Sequence, residues 1–433
     1  MLLSPDFSLD EYEVSLRNGF LPDAPPLQTL EDPYYAPWEN VARDLTARIQ
    51  ARTLREAVDA LPVLSTSNLQ TGADWRRAYV VLAYLTHAYV WGGGQPSDVL
   101  PPAISVPFLE VSSHLELPPC ATYAALNLWN FSIISPNGDL TCPDNLSVTL
   151  SLTGTKDEEW FFMISVAIEA RGGQILQLML DTIHAISVDD NLRVSAYLNQ
   201  ISEGFHEVAR ILERMYEKCR PSVFFHQLRP YLAGSKNMAS AGLPSGLFYD
   251  LGEGKGEWRQ YSGGSNAQSS LIQTFDIFLG VEHSATGNPT KAEISKSQPL
   301  AKSPYIQEMR NYMPGRHRRF LEMLTRNSNV RSYAMSCKPD TPVRDAYNAA
   351  VMSLGSFRDK HIQIVTRYII MAAKLPPPEG TPARLNLATT TYTQMKGSDE
   401  KVSEGLSGTG GTDLIPFLKQ TRDTTKAAAS YAD

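Results

Sequence analysis

Apolar residues recur three and four positions apart along most of the chain, the spacing that lines one face of a helix. The most apolar such stretch, "DWRRAYVVLAYLTHAYVW" at 74–91, is followed by three glycines that end it. A second, "EEWFFMISVAIEARGGQILQLMLDTIHAI", predicts a helix over about 158–186, with Gly172 and Gly173 marking a close helix–helix contact or a kink. Further helices are predicted near 36–52, 190–218, 266–281, 303–325, 343–373 and 413–428, with a short one after Pro118. Strand signals are few. "DLTCPDNLSVTLSL" at 139–152 has some β-branched alternation and reads as a hairpin or an irregular linker. The pattern predicts an all-α fold of two domains: a small, mainly helical N-terminal domain at 1–150, packed on a large all-helical domain at 151–433.

Three stretches interrupt the periodicity. The first 33 residues or so are proline-rich and irregular, and 232–265 is rich in Gly and Ser. Residues 375–412 are polar and rich in Pro, Gly, Ser and Thr, a length of irregular chain that is usually functional or disordered. The glycines of "GLSGTGGTDL" have no preceding strand and no following Lys-Ser/Thr pair, so a mobile loop fits them better than a phosphate cradle. Thr412 or Asp413 is expected to cap the final helix.

Within "SFRDKHIQIVTRYII" at 356–370, His361 shares a helical face with Phe357, Ile364, Val365 and Tyr368, and with Leu354 just before it. Arg358, Lys360, Gln363 and Arg367 fall mostly on the other side. The imidazole therefore points inward. Two readings stand: a core histidine hydrogen-bonded to a neighbour, or a neutral imidazole ligating a haem iron against an apolar wall. Periodicity does not choose between them. In "SVFFHQLRPYL", Arg229 follows an apolar face and either snorkels to water or pairs with a buried carboxylate. In "YSGGSNAQSSLIQTFDIFLG", the small residues from Gly263 to Ala267 form an ordinary turn and cap, or admit a flat ligand close to the backbone.

Composition narrows the classes. The chain has 433 residues, 42% hydrophobic, enough for a large core. A net charge of -7 and the lack of a basic stripe with interleaved aromatics argue against nucleic acid and anionic membrane as partners. Cys120, Cys142, Cys219 and Cys337 are far apart and form no CxxC, so neither a disulfide framework nor a zinc site is expected, and the usage fits a reducing compartment. The N-terminal "MLLSPDFSLDEYEVSL" lacks the basic and apolar regions of a signal peptide, and no apolar run reaches the roughly 20 residues of a membrane span. A soluble, cytoplasmic protein is expected. There is no HExxH, GxSxG, Walker A or EF-hand loop.

Taken together, "PYYAPWENVARDL", "AYVWGGG", "LPPCATYAALNLWNF", "WFFMISVAIE", "FFHQLRPYL", "GGSNAQSS", "EMRNYMPGRHRRFL", "FRDKHIQIVTRYI" and "GTGGTDLIPFLK" resemble, in order and spacing over most of the chain, the indoleamine 2,3-dioxygenase family. The resemblance implies a two-domain helical fold holding one haem b, active as Fe2+. It implies insertion of both atoms of O2 across the indole C2–C3 bond of L-tryptophan, giving N-formylkynurenine, the first step of the kynurenine route to NAD. It implies His361 as proximal iron ligand and Arg229 as partner of the substrate carboxylate. Phe224 and Phe225 match walls of the indole pocket, and Tyr123, Phe161, Phe162 and Ser165 match its distal side. Gly263, Gly264, Ser265 and Ala267 match the small-residue loop beside haem and substrate, and Thr409 matches the closing loop. No side chain is expected to act as acid or base. The partners implied are L-tryptophan or a related indoleamine, O2 and an external electron donor, and a monomer is expected.

Asn266, Leu126 and Asn127 depart from the family pattern, in which smaller or sulfur-bearing residues occur, and bear on the choice of substrate. Two alternatives accompany this reading: a non-catalytic O2-binding haem protein, and a dioxygenase for another indole. The other seven histidines, His87, His114, His184, His206, His226, His283 and His317, read as ordinary.

Overall fold

The computed structural model describes residues 8–136, 138–283, 304–381 and 414–429. The described residues are mainly helical, with two small sheets among them. Its first helices, α1 (Ala36–Arg43), α2 (Leu45–Ala51) and α3 (Leu54–Asp59), pack around α4 (Gly72–Trp91). A capping box starts α4: Thr71 Oγ1 accepts from Asp74 N at 3.1 Å, and Asp74 Oδ2 accepts from Thr71 N at 2.8 Å. From Arg77 to Trp91 every residue of α4 is buried, as expected of a helix apolar on all sides.

The predicted helix at 36–52 is two, divided at Asp44, and α2 ends where Arg52 turns left-handed at φ +59. The sequence reading missed α5 (Pro102–His114), because Pro101, Pro102 and Pro107 look like loop residues. A proline in the first turn has no hydrogen bond to lose, so Pro102 starts the helix, and α5 carries Pro107 within it.

The larger helices follow. Thr155 caps α6 (Lys156–Ser187) by accepting from Glu158 N at 3.2 Å. α6 continues through its glycine pair, and the predicted close contact is there. A Cβ on Gly172 would lie 2.3 Å from Leu271 Cδ2, and one on Gly173 would lie 2.5 Å from Gly19 N. α7 (Asn191–Glu213) packs on α6, and α8 (Ser270–Phe278) supplies Leu271. The predicted 303–325 helix is two: α9 (Pro304–Arg310) and α10 (Gly315–Asn327), with Pro314 between them. After α11 (Val330–Ser336), α12 (Pro342–Val365) lies along α7 and against α13 (Leu414–Lys426).

Both sheets are minor. β1 (Val99–Leu100) pairs in parallel with β4 (Leu247–Asp250), which pairs antiparallel with β5 (Gly256–Arg259), Phe248 opposite Trp258. β2 (Phe131–Ile133) and β3 (Leu146–Val148) form an antiparallel pair with Ser132 opposite Ser147; of the two, only β3 falls in the stretch read as a hairpin or linker, and its partner precedes that stretch. β4 and β5 lie inside the stretch read as a Gly/Ser loop; four-residue strands are too short for alternation to stand out.

Among the described residues three helical turns are widened to π geometry: Ala124–Leu128, Phe224–Leu228, and Thr366–Met371, the last continuing α12. All four cysteines are free thiols. Among the described residues no helix is long and apolar enough to cross a membrane.

Candidate functional site

A π turn inserts one residue into a helix and re-aims the side chains around it, and such turns are frequent at functional sites. All three π turns border one cavity. Ala124–Leu128 contributes Leu126 and Asn127, Phe224–Leu228 contributes Phe224, and Thr366–Met371 contributes Tyr368 and Ile369. The cavity holds about 1170 Å³ of space between atoms, solvent at its mouth included. Its walls are mostly apolar. Phe161 packs on Phe162 at 5.3 Å between ring centroids and on Phe224 at 4.8 Å, and Phe224 meets Tyr368 edge-on at 5.8 Å. Tyr368 is itself fixed, its hydroxyl donating to the carbonyls of Cys219 at 2.6 Å and Met215 at 3.0 Å.

His361 lines this cavity. The face read from the sequence is the observed one: Leu354, Phe357, Ile364, Val365 and Tyr368 are all buried. The imidazole makes no hydrogen bond to another described residue. Burial pushes its pKa down to about 4, and the Arg358 guanidinium adds to that shift, so the ring is neutral at physiological pH. Arg358 departs from the sequence reading, which put it toward solvent. It is drawn inward by Asp276, whose Oδ1 and Oδ2 accept from Nη2 at 2.6 and 2.7 Å. His283 Nε2 lies 3.0 Å from the same carboxylate. Burial opposes ionisation of Asp276, yet Arg358 and His283 hold its pKa below the usual carboxylate range.

Arg229 also lines the cavity. It is 5% exposed, and burial lowers its pKa to about 10, which leaves it cationic. Its guanidinium carbon sits 5.6 Å from the centre of the Phe225 ring. The turn preceding it is tied to the chain beyond α12: His226 Nε2 lies 2.9 Å from Leu375 O, and Gln227 Nε2 donates to Thr381 Oγ1 at 3.0 Å.

Tyr123 stands on the wall with its hydroxyl turned to Glu169, donating to Oε1 at 3.0 Å, while Ser269 Oγ donates to the same oxygen at 2.7 Å. Glu169 is fully buried, and burial pushes its pKa up to about 7. Gln268 completes the strap: Oε1 accepts from Tyr123 N and Nε2 donates to Gly263 O, both at 2.9 Å. α6, the first π turn and the 263–269 loop are thereby locked together.

Of the residues singled out from sequence, Tyr123, Phe161, Phe162, Ser165, Phe224, Arg229, Gly264, Ser265, Ala267 and His361 meet at this cavity. Phe225 is buried but is not on the wall; adjacent helical positions diverge, and its ring supports Arg229 instead. Gly263 lies behind the wall, where a Cβ would be 2.0 Å from Leu232 O. A Cβ on Gly264 would be 2.4 Å from Leu126 Cδ1 and 3.1 Å from Ala121 O, so a larger residue here would displace the Leu126 side chain. Thr409, Thr412, Asp413 and most of the 375–412 loop lie outside the described residues. The sequence reading missed Leu414, Phe417 and Leu418 on α13, though their i, i+3, i+4 spacing marks an apolar face. It also missed Tyr305, whose ring meets Phe417 edge-on at 4.9 Å.

The donor set suits one group in particular. Among the described residues no cluster of three or more His, Cys, Asp or Glu side chains is placed to hold a bare metal ion. A single neutral imidazole on an apolar wall would suit an iron whose remaining protein-independent ligands come from a macrocycle.

Comparison with known proteins agrees. The family model for indoleamine 2,3-dioxygenase matches residues 8–428. An indoleamine 2,3-dioxygenase of Aspergillus nanangensis is 44% identical, covering 99% of this chain and 98% of its own. One of Penicillium citrinum is 42% identical, covering 98% and 89% respectively. A 6-hydroxytryptophan 2,3-dioxygenase of Fusarium equiseti is 37% identical, covering 96% of each. With the match running through the cavity-lining elements from the first π turn to α13, the chain belongs to the indoleamine 2,3-dioxygenase family.

Proposed function

We propose that the cavity binds one haem b through His361 and that the protein is a dioxygenase of L-tryptophan or a close indole relative, yielding the N-formylkynurenine-type product. The observation that carries this is the joint presence, on one apolar wall system, of a neutral imidazole without a hydrogen-bond partner among the described residues and a buried guanidinium. When bound, ferrous haem supplies O2 activation, the chemistry that side chains lack.

The chain's own residues bind and orient. Phe161 and Phe224, already in contact, offer aromatic faces to a flat indole. Arg229 holds the substrate carboxylate, a charge-assisted hydrogen bond worth about 1.5–3 kcal/mol, and the low-dielectric wall that lowers its pKa strengthens the pairing. Leu414, Phe417 and Leu418 cover one side and limit water. Ser165 and Tyr123 shape the distal wall, Gly264, Ser265 and Ala267 give the backbone clearance for a flat ligand, and no side chain is assigned as acid or base. Thr409 joins the substrate-covering loop in this reading. An oxygen carrier would have no use for Arg229, which favours the enzyme. The Fusarium relative extends the substrate class to ring-hydroxylated tryptophans. A small domain at 1–150 and a large one at 151–433, a monomeric state, a cytoplasmic location, an external electron donor and a place at the head of the kynurenine route belong to the same proposal.

The test is direct. The haem-reconstituted protein is reduced under air with L-tryptophan, and N-formylkynurenine absorbance is followed with the haem spectrum. Many turnovers per haem are expected. A stable oxygenated spectrum without product, from tryptophan or any hydroxytryptophan, contradicts the enzyme reading.

A further inference from the structure

We infer that Asn127 determines specificity in the indole pocket, its amide oxygen accepting a hydrogen bond from a donor carried on the indole, either a ring hydroxyl or the ring N–H. The inference rests on the cavity being an indole site.

Asn127 lines the cavity and is 3% exposed. Its Nδ2 donates to Tyr123 O at 3.3 Å. A backbone carbonyl only accepts, so this contact fixes which end of the amide faces it. Oδ1 is then left buried, with no hydrogen-bond partner among the described residues. Buried polar atoms are almost always satisfied, and each exception calls for a reason. A leucine or valine would fill the same space with no unmet acceptor, so packing is not the reason. Among the described residues that line the cavity, no other side-chain oxygen shut off from solvent is left without a partner. Tyr123 is committed to Glu169, and Ser265 Oγ accepts from Ala267 N at 3.3 Å.

Position supports the same conclusion. Asn127 sits on the π turn Ala124–Leu128, next to Leu126, which is wedged against Gly264. The turn is held at its start by the Gln268 and Glu169 bonds to Tyr123. Asn127 has little freedom to turn away and find a partner elsewhere. The neighbouring wall, Phe161, Phe162 and Ile164, is apolar. The acceptor is therefore met when a ligand brings a donor into that wall.

The experiment uses the haem-loaded full-length protein and its Asn127→Leu variant, with Asn127→Ala as a second variant that cannot overfill the site. Calorimetry measures binding of L-tryptophan against 1-methyl-L-tryptophan, and of 5- and 6-hydroxy-L-tryptophan against their methoxy counterparts. The wild type is expected to prefer the donor-bearing member of one pair about tenfold, and both variants to lose that preference. Collapse of a hydroxy/methoxy ratio identifies a ring hydroxyl as the donor, and collapse of the tryptophan/1-methyl ratio identifies the N–H. Ratios that stay the same in the variants overturn the inference. The binding ratios decide it whether or not product forms, whereas product formation alone decides the dioxygenase reading.

Discussion

Two imidazoles, the buried His87 and the partly buried His361, have the same depressed pKa of about 4 and opposite surroundings. His87, in α4, is saturated. Ala121 N donates to its Nε2 at 2.9 Å, so its other nitrogen carries the proton and donates to Tyr231 O at 2.7 Å. It clips three segments of backbone together. His361 makes no hydrogen bond to any described residue and borders the cavity. Desolvation is the largest cause in both and keeps both rings neutral, so the perturbed pKa does not distinguish a structural histidine from a ligating one. What each ring nitrogen touches does.

This contrast predicts opposite mutant behaviour. His361→Ala should reduce haem affinity and activity at least 100-fold while leaving the unfolding midpoint of the haem-free chain nearly unchanged, since no hydrogen bond is lost. His87→Ala should leave a carbonyl and an amide unmet inside the core, costing about 2–5 kcal/mol of stability, with haem still taken up by the folded fraction. Denaturant titration and haem titration on both variants read this. A stability loss at His361 equal to that at His87 would erase the distinction.

Arg229→Leu comes next in size. With a charged hydrogen bond worth about 1.5–3 kcal/mol, KM for L-tryptophan should rise roughly 10- to 150-fold with haem content unchanged. Steady-state kinetics with unaltered KM would remove the carboxylate role.

Glu169→Gln is the third. The folded carboxyl has its pKa raised to about 7 from 4.5, so the folded chain binds the proton more tightly than the unfolded chain. Its contribution to stability is full below about pH 4.5 and is lost as pH rises through 7. Glutamine stays neutral, so the variant should gain about 3 kcal/mol on wild type between pH 4.5 and 8, as read by urea unfolding at each pH. A constant difference would place the shift elsewhere.

The smallest effect concerns the contacts at 375–381. Gln227→Ala removes one neutral hydrogen bond to Thr381, and KM should rise only two- to tenfold with kcat nearly held. A large fall in kcat would give this contact a different role.

Legibility in the sequence followed the range of the interaction. The inward face of His361 was readable because five neighbours repeat at helical spacing. The all-α class was readable for the same reason. Which of Phe224 and Phe225 meets the cavity was not, because the π turn that aims them has no local sequence signature. Arg358 was misplaced because its partner, Asp276, is 82 residues away. The Glu169 strap was invisible because its members, Tyr123, Glu169 and Ser269, lie on three separate elements. α13's share of the wall was readable from Leu414, Phe417 and Leu418, but only once the cavity was known.

His361 is the proposed ligand of the iron. The most direct test is the ferrous spectrum, by optical absorption and resonance Raman, of haem-loaded His361→Gly with and without added imidazole. The expected result is loss of the histidine-ligated spectrum in the variant and its return, with activity, when imidazole fills the gap. A variant that holds haem with the wild-type spectrum and no response to imidazole would show that another residue ligates the iron.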